Sequence, residues 1–569
     1  MKQPVYLAGD TVIINLSRKS YKSVDELVAG ESFNAFLQRY FKDLAVRDIR
    51  IYRWLTNGRP LEETVPSLIE LIRQLLVQGE EITEVQMSQL DRMKSLYIAE
   101  DCYSYWRSKK RFTLLSGNRA DAMMSSFIDY DEKYNSLIRQ LYRTCREKLL
   151  GRGDKIYRQT SSGSNASCLL MKYRIRLPSA YASLRNVPFI ARVMLRTPIM
   201  MDFENADKHC DMASLDENPL DSFSLDIRDF FCLPLKVGDL LCLTCFHKDY
   251  LAQAICLVNM FELAEETDCL SRTPDLICLF GLTGEGARSG FYHDADNGIH
   301  LAALSSGNCD GSFSVIKDAI LTLHNLAQLD RGRLPVRGSM MEIYFRDDTR
   351  KSLLLIGDMG AGKSETIEAL MELSNELRTD RSVRRVEVVF DDMGTLRIAD
   401  GRIVARGSET GGLERLDDLW QNVYRDIEKG VFINLQKQDP KVILPISSHE
   451  MINCDHVIDM VLYANNYAER IGIERFEHYE QFRDCLIEGR HMRKDPEGRN
   501  ELASVFLANP CIPEERQPQC RQIMDEIFGK LFENEVYAGQ LFTNLASGNQ
   551  ENLRESARCL WQLLGQLPS

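Results

Sequence analysis

One eight-residue stretch constrains this chain more than any other: Gly357-Asp358-Met359-Gly360-Ala361-Gly362-Lys363-Ser364. It fits the pattern Gly-x-x-x-x-Gly-Lys-Ser/Thr at every position, and a chain of 569 residues should contain such a match only about 0.02 times by chance. An apolar run precedes it at 353–356, and apolar residues follow at helical spacing over 365–377. The sequence therefore predicts a buried strand, a glycine-rich loop and a helix, an arrangement that binds phosphate groups.

Each part of this loop has a chemical task. Glycines allow backbone N–H groups to close on phosphate oxygens, and the positive end of the following helix favours anions. Lys363 is expected to offset the charge of the β- and γ-phosphates, and Ser364 to bind Mg²⁺ through its hydroxyl. The residues predicted to bind a nucleotide, ATP or GTP, are Gly357, Asp358, Met359, Gly360, Ala361, Gly362, Lys363, Ser364 and Glu365.

Two adjacent carboxylates, Asp391 and Asp392, follow a β-rich run at 386–390. The carboxyl end of a strand beside a phosphate loop is where a carboxylate directed at Mg²⁺ is expected, so the sequence predicts a strand that ends at this pair. One Asp is expected to bind the metal together with Ser364, and the other to take a proton from an acceptor hydroxyl or to orient water. The sequence leaves open which Asp has which role.

Several blocks of sequence follow one another in a recognisable order. They are 311–316 (Gly-Ser-Phe-Ser-Val-Ile), 334–343 (Leu-Pro-Val-Arg-Gly-Ser-Met-Met-Glu-Ile), 357–366 with Gly-Lys-Ser-Glu-Thr, 390–392 (Phe-Asp-Asp), 409–411 (Glu-Thr-Gly) leading to Arg415, and 441–446 (Lys-Val-Ile-Leu-Pro-Ile). Together they resemble the superfamily of phosphoenolpyruvate carboxykinase and HPr kinase/phosphorylase. Gly-Lys-Ser-Glu-Thr is especially similar to HPr kinase, which phosphorylates a protein serine. The resemblance covers roughly residues 300–470.

The resemblance implies an α/β protein with a two-domain core like that of phosphoenolpyruvate carboxykinase. Its C-terminal domain would be the P-loop nucleotide domain, and the helical N-terminal region would be an appendage. The resemblance also implies ATP or GTP as the nucleotide and Mg²⁺, or Mn²⁺, as the metal. Beside Lys363, we predict that Arg337, Arg415 or Lys441 stabilises the charge that develops in the transition state.

Three departures from the family pattern bear on the activity. Cys309 and Asp310 stand where the carboxykinases have a Lys-Lys pair, Arg337 stands where the family has a histidine, and Lys441 replaces an arginine. We therefore predict a phosphotransferase that moves a γ-phosphate to a hydroxyl group of a small molecule or a protein. The alternatives are a divergent phosphoenolpyruvate carboxykinase and a nucleotide-sensing regulator without catalysis.

Changes in pattern along the chain predict three segments. Residues 1–148 are expected to be mostly helical, either packed on the rest or binding a protein partner. Residues 149–330 are expected to form a mixed α/β domain, and 331–569 the P-loop nucleotide-binding domain with a helical C-terminal tail. The last helical pattern runs from about 517 to 564.

The charge balance argues against two classes of partner. Lys and Arg total 70 against 83 Asp and Glu, a net charge of −13, so a sequence-independent grip on nucleic acid or on an anionic membrane is not expected. The first residues lack the apolar stretch of a signal peptide, and no run approaches the ~18 apolar residues of a spanning helix. A cytoplasmic location and reduced, buried cysteines are therefore predicted.

Overall fold

The computed structural model describes most of the chain. The described residues are 5–17, 21–77, 89–117, 120–151, 162–203, 212–222, 225–283, 287–305, 312–377, 383–416, 426–435, 440–494, 500–545 and 550–566. They form a mixed α/β protein with two compact units. As far as residues are described, the N-terminal unit comprises Met1–Tyr173, Asn186–Ile199 and Asp226–Phe231, and the C-terminal unit comprises Arg174–Arg185, Met200–Leu225 and Cys232–Ser569.

The N-terminal unit combines helices with one sheet. Its helices are α1 (Val24–Val28), α2 (Glu31–Arg47), α3 (Ile49–Thr56), α4 (Leu61–Val77), α5 (Gln89–Ser108) and α6 (Ala120–Leu150). Its strands are β1 (Val5–Ala8), β2 (Thr11–Asn15), β3 (Lys110–Ser116), β4 (Ala166–Met171) and β5 (Phe189–Leu195). They pair in the order β1-β2-β3-β4-β5, with parallel pairing from β2 to β4 and antiparallel pairing at both ends.

Amphipathic spacing explains how these helices pack. In α2 the buried residues Phe36, Leu37, Tyr40, Phe41 and Leu44 recur every three or four positions, so they share one face. That face contributes to an apolar core with residues of α1, α4, α5, α6 and the strands β2 to β4. The core of this unit therefore depends on helices packed on each other as well as on the sheet.

The described part of the C-terminal unit combines helices with strands from several sheets. Its helices are α7 (Pro219–Ser222), α8 (Leu251–Cys256), α9 (Glu266–Ser271), α10 (Phe313–Asp330), α11 (Lys363–Leu377), α12 (His449–Asn453), α13 (Tyr479–Glu488), α14 (Gln517–Glu533) and α15 (Gln550–Leu564). Short 3-10 helices lie at Ser179–Asn186, Lys248–Tyr250, Leu257–Asn259, Ile427–Lys429, Phe506–Ala508 and Glu514–Arg516.

The remaining strands, numbered in chain order, are β6 (Ile199–Met201), β7 (Ala213–Ser214), β8 (Phe230–Val237), β9 (Leu240–His247), β10 (Glu262–Leu263), β11 (Leu276–Leu282), β12 (Gly290–Asp294), β13 (Ile299–Ser305), β14 (Leu334–Phe345), β15 (Arg350–Ile356), β16 (Val383–Ala399), β17 (Arg402–Gly407), β18 (Gly411–Arg415), β19 (Val431–Ile433), β20 (Lys441–Pro445), β21 (His456–Val457), β22 (Met460–Asn465), β23 (Ile473–Arg475), β24 (Arg490–Lys494), β25 (Asn500–Ser504) and β26 (Tyr537–Phe542). Strands β9, β11 and β13 are parallel neighbours, β12 pairs antiparallel with β13, and β24 with β25 forms an antiparallel hairpin. A smaller sheet has the order β18-β20-β19-β6.

The sheet that positions the candidate site has the order β21-β17-β16-β14-β15-β22-β26-β23. Apolar cores cover both of its faces. Alternate residues of β15 point to opposite faces, so Leu354 and Ile356 enter the core formed with α13 and α14, whereas Leu353 and Leu355 enter the core formed with α11 and α15. This burial on both sides explains why the strand before the glycine-rich loop is a continuous apolar run.

The region up to residue 148 is mostly helical, as predicted, and it also contains the strands β1 to β3. One sequence expectation about secondary structure was wrong in part. The helical pattern predicted from 517 to 564 is interrupted by β26, which lies between β22 and β23 in the large sheet. Helix α14 ends before Glu535, whose φ is +57°, and the following residues pair with both neighbouring strands. Tertiary pairing therefore overrides local helical spacing here.

The predicted segment boundaries do not coincide with the division of the chain into two units. The boundary at 148/149 falls in the last turn of α6, and the N-terminal unit continues to Tyr173. Both sides of the boundary at 330/331 belong to the C-terminal unit. Residues Cys309, Asp310 and Gly311, which entered the family comparison, lie outside the described residues.

Two further sequence expectations concern apolar character. Within the described parts of the chain, no helix combines the length and the apolarity needed to cross a bilayer. The cysteines in those same parts all have free thiols, and most of them are buried. Burial raises the pKa of the thiols of Cys232 and Cys278, as expected for core residues.

The position of β26 inside the large sheet gives a test of the fold. Leu541 is fully buried between β22 and β23, so Leu541→Ala should lower the free energy of unfolding by about 2–5 kcal/mol, because it removes apolar contacts and leaves a cavity. Leu502 on β25 is 51% exposed, and Leu502→Ala should change the free energy of unfolding by less than about 0.5 kcal/mol. Urea unfolding followed by circular dichroism measures both. Equal, small effects would contradict the buried position of β26.

Candidate functional site

The glycine-rich loop lies between β15, which ends at Ile356, and α11, which begins at Lys363. The predicted strand and helix on either side of the loop are present. Two loop glycines need positive φ angles: Gly360 has φ +74° and Gly362 has φ +94°. At Gly362 a Cβ atom would also lie 2.7 Å from the Cβ of Thr543, so only glycine fits there without displacement.

Hydrogen bonds hold the loop from inside and from neighbouring strands. Lys363 Nζ donates to the carbonyl oxygen of Asp358 at 2.9 Å, so the lysine side chain turns back over the loop. Thr543 Oγ1 donates to the carbonyl oxygen of Ala361 at 2.8 Å, and Asn466 Nδ2 donates to that of Gly360 at 3.0 Å. The loop conformation is therefore fixed by the fold before any ligand binds.

The hairpin of β24 and β25 is tied to the same loop. Asn466 Nδ2 also donates to the carbonyl oxygen of Met492 at 2.8 Å, and Asn466 Oδ1 accepts from the N–H of Met492 at 2.7 Å. His491 Nε2 lies 3.3 Å from Asp358 Oδ2. Residues 491–492 of β24 thus contact the loop directly and through one asparagine.

The carboxylate pair lies inside a strand, not at its end. Strand β16 continues to Ala399, so the prediction of a strand that ends at Asp391 and Asp392 was wrong. The pair still lies beside the loop, because Gly338 of β14 is opposite Ile356 on one side and opposite Asp392 on the other. Two strand spacings, about 10 Å, therefore separate the backbone of Asp392 from the start of the loop.

Asp391 and the loop serine share a contact that suits a divalent cation. Ser364 Oγ donates to Asp391 Oδ1 at 3.2 Å, and the hydroxyl of Ser339 donates to the same oxygen. Carboxylate and hydroxyl oxygens are the hard ligands that Mg²⁺ prefers. The residues present therefore fit the predicted metal, with Ser364 and Asp391 as ligands.

Asp392 belongs to a buried group of charges that we call the charge cluster, which consists of Lys317, Arg337, Asp358, Asp392 and Glu409. Arg337 Nη1 donates to Asp358 Oδ1 at 2.6 Å, and Arg337 Nε donates to Asp392 Oδ1 at 2.9 Å. Lys317 Nζ donates to Asp392 Oδ2 and lies 3.6 Å from Glu409 Oε1. One arginine thus joins the loop to β16, and each oxygen of Asp392 accepts from a cation.

Burial and pairing set the protonation of this cluster. Burial would raise the pKa of Asp392, but the charges of Arg337 and Lys317 outweigh it and hold that pKa well below its usual range. Burial acts to lower the pKa of Lys317, but Asp392 and Glu409 raise it above the ordinary lysine value. Burial and the charge of Arg337 lower the pKa of Lys363. A nearby phosphate charge would therefore favour the charged form of Lys363.

Glu409 is the unusual member of the charge cluster. Neither of its carboxylate oxygens has a hydrogen-bond partner, and its side chain is almost fully buried. Burial raises the pKa of Glu409 to about 8, although the charge of Lys317 acts in the opposite direction. Glu409 therefore titrates close to neutral pH, where proton-transfer groups operate best.

The backbone at Asp392 is strained. Its φ is +131°, a region that residues with a Cβ atom rarely adopt. Such a conformation persists only where the surroundings enforce it, and here two ion pairs fix the side chain. Backbone strain of this kind is concentrated at functional sites.

Arg415 and Lys441, the other predicted cations, lie in the smaller sheet. They are directly opposite each other on the antiparallel strands β18 and β20. Strand β18 passes close to the carboxylate pair, because a Cβ at Gly412 would lie 3.7 Å from the carbonyl oxygen of Asp391. Arg415 is three residues further along, about 10 Å away.

Sequence reasoning missed several members of this site. Lys317 and His491 were not singled out, and Glu409 entered only as part of the Glu-Thr-Gly block of the family resemblance, without an assigned role. Lys317 follows the apolar residues Val315 and Ile316 at the start of α10, which is buried over most of its length. A charged residue within so apolar a helix was a usable signal, because buried lysines require an ionic partner.

A second group of the described residues has metal-ligand chemistry, namely His293, His300 and Asp330. His300 Nε2 lies 2.9 Å from Asp330 Oδ2, and the two imidazole rings are stacked with centroids 4.2 Å apart. Arg516 also donates to Asp330. Since the carboxylate is already paired with a cation, this group is explained as a structural ion-pair network.

Comparison with known proteins adds no family assignment. No protein-family model matches the chain, and no curated protein matches it at a significant level. The candidate site is therefore defined by its own residues and geometry.

The two loop glycines with positive φ form a matched pair for mutation. Gly360→Ala meets no neighbour within 4 Å and should cost only about 1–2 kcal/mol of backbone strain. Gly362→Ala adds a contact of 2.7 Å with Thr543, so we expect a further loss on the order of 2 kcal/mol. Urea unfolding of both variants measures the difference. A Gly362→Ala variant as stable as Gly360→Ala would contradict the close approach of Thr543.

The protonation of Glu409 predicts a pH-dependent stability. The folded protein holds this proton more tightly than the unfolded chain, so wild-type stability should fall as pH rises from about 4.5 to about 8. Glu409→Gln cannot ionise, so its stability relative to wild type should improve over that range, on the order of 3 kcal/mol. Unfolding free energies at pH 5 and pH 8.5 measure this change, with the exposed Glu428→Gln as the control. A pH-independent difference would rule out a raised pKa.

Proposed function

We propose that the protein is a nucleotide-dependent phosphotransferase that uses ATP or GTP with Mg²⁺. The observation that carries this proposal is the 3.2 Å contact between Ser364 of the loop and Asp391 of β16, beside the cation Lys363. A simple glycine-rich turn does not require a carboxylate at its serine. A site for a metal-bound triphosphate requires both groups together.

The nucleotide side of the reaction falls to the loop. Backbone N–H groups at the start of α11 and the ammonium of Lys363 would bind the β- and γ-phosphates. Ser364 and Asp391 would hold Mg²⁺, which supplies charge neutralisation of the phosphates when bound. To bind the phosphate, the Lys363 ammonium would give up its hydrogen bond to the carbonyl oxygen of Asp358.

The charge cluster would supply the groups that act on the transferred phosphoryl group and on the acceptor hydroxyl. Arg337 and Lys317 are cations held in fixed positions by Asp392, so they can stabilise charge that develops on the transferred phosphoryl group. Asp392 is a poor proton acceptor, because both of its oxygens bind cations and its pKa is lowered. We assign proton acceptance to the ionised form of Glu409, which a pKa of about 8 makes available as the pH rises toward 8, and whose oxygens have no hydrogen-bond partner.

The family resemblance enters this proposal as support for the arrangement. A carboxykinase-like core with a P-loop nucleotide domain would account for the order of the motif blocks between 311 and 446. The site favours phosphoryl transfer to a hydroxyl over carboxykinase chemistry, because Arg337 stands at the position of a metal-binding histidine. Its guanidinium is committed to Asp358 and Asp392, so it offers no lone pair to a metal.

The proposal predicts transfer that depends on the loop lysine. Purified protein with γ-labelled ATP, γ-labelled GTP and Mg²⁺ is incubated with a cell extract separated into protein and small-molecule fractions. Label should reach one acceptor species, and Lys363→Ala and Asp391→Asn should each lower the rate at least about 100-fold. Lys429→Ala, which removes an exposed lysine, should leave it unchanged.

Other outcomes separate the alternatives. Conversion of oxaloacetate to phosphoenolpyruvate by the wild type, lost in Lys363→Ala, would replace the proposal with a carboxykinase. A nucleotide-sensing regulator would bind nucleotide without transferring label. In that case Asp391→Asn should bind the protein's partner as tightly as the wild type does. Transfer that persists in Lys363→Ala would exclude the loop as the catalytic site.

A further inference from the structure

The N-terminal unit contains a partly open cavity of about 580 Å³. It lies among the helices α2 to α6 and the strands β1 and β2, and apolar side chains form most of its surface. Representative lining residues are Leu37, Leu68, Ile72, Ile98, Trp106 and Leu141. Protein interiors are normally packed as densely as organic crystals, with few voids larger than a water molecule. A void of this size is comparable to the sites that hold small organic ligands, roughly 300–1,000 Å³.

Three large lining residues use their polar atoms in hydrogen bonds outside the cavity. Tyr40 donates its hydroxyl hydrogen to Asp101 at 2.9 Å, and Tyr142 donates to Glu100 at 2.7 Å. Trp106 Nε1 donates to the carbonyl oxygen of Ser162 at 2.5 Å. These side chains therefore present ring surfaces to the cavity. Water needs two to four polar partners in such a space, so the interior favours a hydrocarbon.

Polar and charged residues lie at one side of the cavity. Asn57 and Arg59 are exposed lining residues in the turn between α3 and α4. Lys94 lies over the ring of Trp54, 5.0 Å from its centroid, and Trp54 also lines the cavity. Asp91 on the same side accepts a hydrogen bond from Trp54 Nε1 at 3.2 Å. On this side of the cavity, which we call the entrance, the cations Arg59 and Lys94 outnumber the carboxylate of Asp91, which suits the entrance to an anionic head group attached to an apolar chain.

We infer that the N-terminal unit binds one long-chain fatty acid or a similar single-chain amphiphile with an anionic head. Its chain would fill the cavity between α2 and α6, and its head would lie at Arg59 and Lys94. This inference rests on the cavity and its entrance alone, and it holds whether or not the C-terminal unit transfers phosphate.

Tryptophan fluorescence of the full-length protein provides the test, since Trp54 and Trp106 line the cavity. Hexadecanoate is titrated below its aggregation concentration, with 1-hexadecanol as the neutral probe. We expect saturable binding of one hexadecanoate per chain. Ala99→Phe places a ring in the cavity and should weaken binding of both probes at least about 10-fold. Val46→Phe, at a residue 87% exposed on α2, is the matched control and should not weaken it.

A second substitution tests the head-group position. Arg59→Gln should weaken hexadecanoate several-fold and leave 1-hexadecanol unchanged, because only the anion loses a partner. If circular dichroism shows that Ala99→Phe does not fold, Leu71→Phe fills the same cavity and takes its place. Absence of saturable binding, or equal affinity in wild type and the filled variant, would overturn the inference. Equal weakening of both probes by Arg59→Gln would overturn the anionic part of it.

Discussion

The candidate site depends on the pair of ionic contacts that Arg337 makes with two carboxylates. The guanidinium of Arg337 is buried and joins Asp358 of the glycine-rich loop to Asp392 of β16. Removing a buried charge from water is costly, and the cost is offset only where geometry and hydrogen bonding are good on every side. Arg337 meets this condition with two carboxylates, so the loop and β16 are held in one relative position. The contact between Ser364 and Asp391 and the position of Lys317 accompany that geometry.

The parts of the fold that could be predicted are those set by local sequence. The glycine-rich loop, the strand before it and the helix after it follow from motif and periodicity, because each residue's environment is fixed by near neighbours. The position of Asp391 and Asp392 inside β16 could not be predicted the same way. Carboxylates are rare within strands, and here cations from β14 and α10 make the burial of Asp392 possible. Those partners are 55 and 75 residues away in sequence.

A similar limit applies to the ends of the chain. The segment after α14 has helical spacing, yet β26 is stabilised by two neighbouring strands that no local pattern reveals. In the N-terminal unit, sequence periodicity finds the helices but cannot show how closely their apolar faces meet. A cavity is a property of the whole packing arrangement, since the same leucines and isoleucines could equally have filled the space. The sequence of α10 could have marked Lys317 as a buried cation, but its partners and the role of Glu409 could be assigned only from their positions in the fold.

The tie between the loop and the β24–β25 hairpin has a practical use. Leu502 of β25 is exposed and lies directly opposite Met492, which Asn466 connects to Gly360 of the loop. A small environment-sensitive dye attached at position 502 would sit one strand away from that connection and outside the buried cluster. The hairpin therefore offers an optical readout of the loop in solution, one that needs no knowledge of the acceptor.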